Sequence, residues 1–322
     1  MSFPRQCSVS VDIDSLRFYH QIHGLPWNAD PQSPDPAYTH AMPRLLDLFA
    51  SFGIRATLFV IGEDVHIPEH AELLKRAVAE GHELANHTYH HPYRLTRLSP
   101  EELEQEIALG EEHIGALLPE GERIRGFRCP GYNITPEVLK ILRRRGYTYD
   151  SSVFPSAPYY LAKGAVMGWL QLVGRPSKSM LGSPRVLMSP LQPFVPGEDP
   201  HIPHKTPNSS ELWEMPVGVL PGVGLPYIGT SVVVYPRPVL TACTELMKRT
   251  HTHLNLELHA IDMMDPERDP GVERLISVQP DLKVSLREKR ERFGDTFFRI
   301  AQTHSFATLL DVAQQYQQEG ER

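Results

Sequence analysis

The chain has 322 residues, 41% hydrophobic and 22% charged, an ordinary globular balance in which a domain of this length buries its core without staples. A net charge of −7 argues against nucleic acid as a partner, because phosphate binding calls for a basic surface. Three cysteines, Cys7, Cys129 and Cys243, form no CxxC pair and no disulfide framework; with no signal-peptide core and no membrane-length apolar stretch, the cytoplasm is the expected compartment.

Along the chain, short apolar runs alternate with amphipathic ones up to about Asp150. Strands are predicted at 7–13, 56–61, 82–86, 123–128 and 147–150. Helices are predicted between them: 41–52 stopped by Gly53, a run through Leu73, Leu74 and Val78 ending at Gly81, one opened by the capping box Ser99-Pro-Glu-Glu102, and 136–145. Such βα repeats predict an α/β fold, a distorted and incomplete (β/α) barrel of about seven parallel strands. From 154 to 226 the rhythm breaks, and well over a third of the 30 prolines lie there. This segment is expected to be a long Pro-rich insertion or lid within one domain spanning 1–322. A helix near 238–250, a strand at 254–258, a charged helix capped by Ser285 and Glu288, a last strand at 306–310 and a polar tail complete the order.

Polar residues gather where strands end, the usual place for active sites in parallel α/β barrels. Asp12 and Asp14 end the first strand, and two carboxylates there are costly to bury unless a cation or a buried Arg compensates them. His87 and His91 follow the third strand at i and i+4, a spacing that one helical turn would aim at one metal ion. With Asp14 they make three ligands, a set that suits zinc and also cobalt, nickel or manganese; the bland alternative is two histidines on a polar turn. Arg128 can pair with a carboxylate, and Gly131 lets backbone approach a ligand. Asp150 and His259 end later strands, and a His oriented by an Asp suits a general acid, although each alone is more often structural. The pairs His201 with His204 and His251 with His253 are expected at the surface.

The ordered series Asp-x-Asp, His-Thr-x-x-His, Arg-x-Pro, Asp-Ser-Ser and Leu-x-x-His resembles the motifs of the polysaccharide deacetylases, the family 4 carbohydrate esterases. Within that family the Asp-x-Asp form is similar to peptidoglycan deacetylases and to the deformylase of lipid-linked aminoarabinose synthesis. The resemblance implies Asp12 as base, Asp14, His87 and His91 as ligands of one divalent ion, and Arg128 as the partner that tunes the base. It further implies Gly131 as oxyanion donor, Asp150 as orienter of the acid and His259 as the acid. Tyr132 and Phe154 are expected in the substrate pocket; Trp213 can line it too, although structural packing is the better expectation for that side chain. The implied substrate is an N-acetyl or N-formyl amino sugar in a polysaccharide, peptidoglycan or lipid-linked glycan.

Residues 159–173 are apolar, carry Trp169 and have Lys163, Arg175 and Lys178 nearby. They form either a helix packed on the barrel or a peripheral contact with the inner membrane. Two other functions compete: an amidohydrolase acting on a small ureido or cyclic amide compound, and a metal or glycan binder without catalysis.

Overall fold

A computed structural model describes residues 4–30, 32–172, 174, 177–206 and 211–320. Eight strands form one sheet: β1 (Gln6–Asp12), β2 (Thr57–Val60), β3 (Glu83–Asn86), β4 (Gly126–Phe127), β5 (Tyr149–Asp150), β6 (Trp213–Glu214), β7 (His253–His259) and β8 (Ser305–Phe306). Seven lie in the order β6-β5-β4-β3-β2-β1-β7, every pairing parallel, so the sheet is the expected incomplete α/β barrel. β1 is its centre. It pairs along its whole length with β7, while β2 takes Ser10–Asp12 and β8 takes Gln6 and Cys7. Cys7, Val9 and Val11 are wholly buried, as a strand covered on both faces requires.

Among the described residues the seam between β6 and β7 has no strand ladder, but it is bridged. Gly218 N–H donates to the Asn255 carbonyl at 2.9 Å, and the Asn255 amide donates to the Met215 carbonyl and to Ser151 Oγ at 3.1 and 3.0 Å. Because β6 falls inside 154–226, that stretch is not wholly an appendage; it supplies an edge of the sheet.

Helices cover the sheet where their caps place them. Ser99 and Glu102 form the predicted capping box at the start of Pro100–Gly115. Gly53, at φ +63°, ends Met42–Phe52 while Ile54 N–H returns to the Phe49 carbonyl. Phe49 and Phe52 of that helix pack on Phe297 of the helix Leu286–Ala301. The fully buried rings of Phe49 and Phe297 each contribute about 1.5–3 kcal/mol of apolar transfer free energy.

Two expectations about the C-terminus fail. The last strand is two residues long, and the supposed polar tail is a helix, Leu309–Gly320. Leu309, Val312, Ala313 and Tyr316 recur at helical spacing and are buried. Leu309 N–H bonds Thr57 Oγ1 and Leu310 N–H bonds Glu83, the first residues of β2 and β3, so this helix closes the N-terminal mouth of the barrel.

Candidate metal and catalytic site

β1 and β7 run in register so that Asp12 stands opposite His259, which sets two of the implied residues side by side before any side chain is considered. Asp14, His87 and Arg128 lie just beyond β1, β3 and β4, all at the C-terminal rim.

The turn after β3 is not the helical turn expected from i, i+4 spacing. Thr88 and His91 are left-handed, at φ +68° and +53°, a conformation that costs residues other than glycine roughly 1 kcal/mol or more. Side chains hold it: Asn86 Oδ1 accepts from Thr88 N–H at 2.8 Å, and Thr88 Oγ1 accepts from His91 N–H at 3.1 Å. The fold-back brings the two imidazoles to 4.8 Å between centroids. His87 Nε2 is 3.6 Å from Asp14 Oδ1, and His91 Nε2 is 3.5 Å from the same oxygen.

These three side chains fit a divalent ion. They are buried, and their ligand atoms lie within 4.8 Å of one another. Asp14 Oδ1 has no hydrogen-bond partner among the described residues, an expensive state for a buried carboxylate that a cation relieves. His87 Nδ1 contacts the Arg128 carbonyl at 2.8 Å, which fixes the proton there and leaves Nε2 with its lone pair toward Asp14. Burial keeps both imidazoles neutral by lowering their pKa, His91 most, and pushes the Asp14 carboxyl up to about 7.

Asp12 is held differently. Its Oδ1 is bound by the fully buried Arg128 guanidinium, which also donates to Ser10 Oγ, Ser151 Oγ and the Ser151 carbonyl and lies over the Phe59 ring. Burial opposes the charge on Asp12, but Arg128, His87 and His259 outweigh it and hold the carboxyl below its usual range. Asp12 Oδ2 has no hydrogen bond among the described residues and lies between two rings, 3.8 Å from His87 Nε2 and 3.9 Å from His259 Nε2.

His259 is oriented by Glu257, not by Asp150. Glu257 Oε1 is 2.8 Å from His259 Nδ1 and accepts from the Tyr132 hydroxyl at 3.0 Å. Burial works against a charged His259, yet the Glu257 carboxylate prevails and raises its pKa well above the ordinary value. Asp262 accepts from the His259 backbone N–H at 2.9 Å and fixes the end of β7. Asp150 faces elsewhere: it accepts from Ser152 Oγ at 2.7 Å and lies beside Glu214, its register partner on β6, both carboxyls being raised in pKa, first of all by burial. The sequence offered one signal for Glu257, its place two residues before His259 on the same face of a strand.

Asp12, Glu257 and His259 form a second group of potential ligands, but Arg128 already neutralises Asp12, and Glu257 already engages His259. Each group leaves one buried carboxylate oxygen without a hydrogen-bond partner, Asp14 Oδ1 in the first and Glu257 Oε2 in the second, but only in the first does the carboxylate lack a cationic partner among the described residues.

Gly131 and Tyr132 are both left-handed, at φ +64° and +63°, and carry the chain over the rim. Tyr132 packs on Phe154, whose ring also meets Tyr159 of the helix Ala157–Leu172. That helix covers Gly131: Lys163 Nζ donates to the Gly131 carbonyl at 3.1 Å, and burial lowers the amine pKa to about 8. Trp213 is not in the site. It opens β6 and packs at 4.9 Å on Tyr316, on the side closed by the C-terminal helix. His201, His251 and His253, expected at the surface, are buried, and neither histidine pair joins a metal-capable group among the described residues.

Residues 32–149 match the polysaccharide deacetylase family model. The match contains His87, His91, Arg128 and Gly131; Asp12, Asp14 and His259 lie outside it, and their placement rests on the geometry. A peptidoglycan-N-acetylglucosamine deacetylase of Bacillus cereus is 36% identical over 114 residues, 35% of this chain and 49% of the relative. A chitooligosaccharide deacetylase of Bradyrhizobium sp. is 36% identical over 113 residues, 35% of this chain and 48% of the relative. The chain thus spans about half the length of the curated relatives it matches. A solved structure of a proposed polysaccharide deacetylase from Mycobacterium smegmatis shares the fold, with TM-score 0.58 and 18% identity over 99% of this chain and 93% of that one.

Proposed function

We propose that this protein is a divalent-metal-dependent N-deacylase that removes an acetyl or formyl group from an amino sugar in a polysaccharide, peptidoglycan or lipid-linked glycan. The observation that carries the reading is the position of Asp12 Oδ2, without a hydrogen bond among the described residues and between the His87 and His259 rings, so that a base, an ion site and an acid converge. Asp14, His87 and His91 would hold the ion, zinc being the best fit to a two-His, one-carboxylate set. When bound it supplies Lewis acidity toward the acyl carbonyl and the attacking water.

The chain's own residues account for the proton movements. Asp12 Oδ2 takes a proton from the water as its oxygen bonds the acyl carbon, and Arg128 keeps Asp12 ionised beforehand. The Gly131 N–H is the donor for charge developing on the acyl oxygen. His259 Nε2 gives its proton to the nitrogen as the C–N bond breaks, so a free amine and a carboxylate leave; Glu257 holds His259 charged until then. Tyr132 and Phe154 wall the pocket beside Gly131.

Metal analysis with acetate and formate release from a panel of N-acyl sugars, free and lipid-linked, tests the reading. Turnover of ureido or cyclic amide compounds alone would replace it with the amidohydrolase alternative, and no turnover by the metal-loaded protein would leave a binder.

The lipid-linked form has separate support. No described helix is long and apolar enough to cross a membrane. The helix Ala157–Leu172 nevertheless exposes Leu161, Val166, Trp169 and Leu172, Trp169 at 60% and Leu172 at 86%, followed by Lys178, which has no ion-pair partner among the described residues. An apolar face beside a cation suits the anionic inner leaflet, which would put the protein in the cytoplasm, peripheral to the membrane. Flotation with phosphatidylglycerol liposomes that is abolished by Trp169→Asp supports this; no flotation removes it.

A further inference from the structure

The helix Ala157–Leu172 carries a single cation, Lys163, and turns it inward, where Nζ donates to the Gly131 carbonyl at 3.1 Å. An ammonium has three N–H donors, and this hydrogen bond uses one of them. Among the described residues Lys163 has no ion-pair partner, and the Tyr159 ring is 5.9 Å away. Burial lowers its pKa to about 8, and no carboxylate opposes that shift.

The helix does not need this charge to stay in place. The Tyr160 hydroxyl donates to the Gly182 carbonyl at 2.9 Å, and Ser156 Oγ donates to the Gly224 carbonyl at 2.7 Å. The Tyr159 ring packs on Phe154 at 4.6 Å, and Leu170 is buried. An apolar side chain of the same length would fill the space without the desolvation cost of an unpaired ammonium. A cation kept where packing alone would serve points to function.

Its position says which function. The point where a Cβ on Gly131 would stand is 3.5 Å from Lys163 Nζ and 3.7 Å from Tyr93 Cδ1. Standard bond geometry sets that point about 2.5 Å from the Gly131 nitrogen, so Nζ lies within about 6 Å of that nitrogen and one oxygen can accept from both. The Tyr93 ring in turn stands edge-on to the His91 ring, 4.9 Å between centroids. The bare side of Gly131 thus opens between the lysine and a tyrosine that touches a candidate metal ligand. We infer that Lys163 is a catalytic residue whose ammonium, beside the Gly131 N–H, donates to the charge developing on the acyl oxygen. As the water oxygen bonds the acyl carbon, the C=O π electron pair moves onto that oxygen; Lys163 gives it a hydrogen bond and keeps its own proton. The inference rests on the deacylase reading for the acyl group itself.

Two measurements on the zinc-loaded protein test it. The first needs no turnover: glucosamine N-methylphosphonamidate, a tetrahedral anion, and neutral N-acetylglucosamine are titrated by calorimetry into Asp12→Asn. Adding Lys163→Met should weaken the anion about tenfold or more and the neutral sugar less than about threefold, and Lys163→Arg in its place should recover part of the loss. In the second, Lys163→Met alone should cut kcat on the N-acetylglucosamine tetramer about 10²–10³-fold with KM changed less than about threefold. An unaltered anion affinity, equal losses for anion and neutral sugar, or an effect on KM alone overturns the inference; equal losses would make Lys163 a tie for the helix. If the anion result holds but the wild type releases no acyl group from any N-acyl sugar, the deacylase reading fails and Lys163 stands as the donor to an anionic oxygen.

Discussion

Asp12 and His259 are register partners on adjacent parallel strands, and their side chains meet at 3.9 Å between Oδ2 and Nε2. One carries a carboxyl held below its usual pKa and the other an imidazole held above it. Two neighbouring groups pushed in opposite directions are equipped for opposite proton roles.

Separating base from ligand is the first prediction. Asp12→Asn should retain stoichiometric zinc and lose about 10²–10⁴ in kcat, the range for removing a general base. His87→Ala should lose the metal. Zinc content by atomic absorption beside steady-state kinetics checks both, and an Asp12→Asn variant that empties the site would make Asp12 a ligand instead.

The second concerns pH. His259 must be protonated to act, so turnover should fall as pH rises through its elevated pKa, and fall again in acid as Asp12 takes a proton. Removing the Glu257 charge takes away the main support of the charged ring. Glu257→Gln should therefore move the alkaline limb of kcat downward by about one unit or more, with the acid limb little altered. Asp150→Asn should leave the alkaline limb where it is, since Asp150 does not touch His259.

The Asp150–Glu214 pair yields a stability prediction. Their raised pKa values mean the folded state keeps a proton that the unfolded chain releases above about pH 4.3. Stability from this source is complete below that pH and is lost as pH rises toward the folded value. Glu214→Gln, neutral at every pH, should flatten the slope of unfolding free energy between pH 5 and 8 by up to about 1.4 kcal/mol per unit. Urea titrations across that range measure it; an unchanged slope would mean the pair is not protonated.

A glycine far from the chemistry supports the metal turn. A Cβ at Gly110 would lie 2.3 Å from Asn86 Oδ1 and 3.0 Å from the Thr88 carbonyl carbon. Asn86 is the side chain that holds the left-handed Thr88, so Gly110→Ala should cost about 1–3 kcal/mol and weaken zinc retention together. Thermal melts with and without zinc would show both effects, or neither.

What the sequence determined by itself was the order of elements and most of the rim. Periodicity and capping residues located the helices at 42–52, 100–115 and 136–145, because those signals are local. Asp14, His87, His91, Arg128 and His259 were legible because polar residues interrupting or ending apolar strands stand out. Only the tertiary structure decided which of them touch. Asp150 and Glu257 are both carboxylates at strand ends, and no spacing reveals that one faces Glu214 while the other faces His259. The C-terminal helix was unreadable for the same reason: its partners, Thr57 and Glu83, lie more than a hundred residues away, whereas the packing role expected of Trp213 is the one the structure shows. The metal turn shows the limit most plainly. Its i, i+4 spacing suggested a helix, but the ligands converge through two left-handed residues that Asn86, Thr88 and the space above Gly110 hold in place.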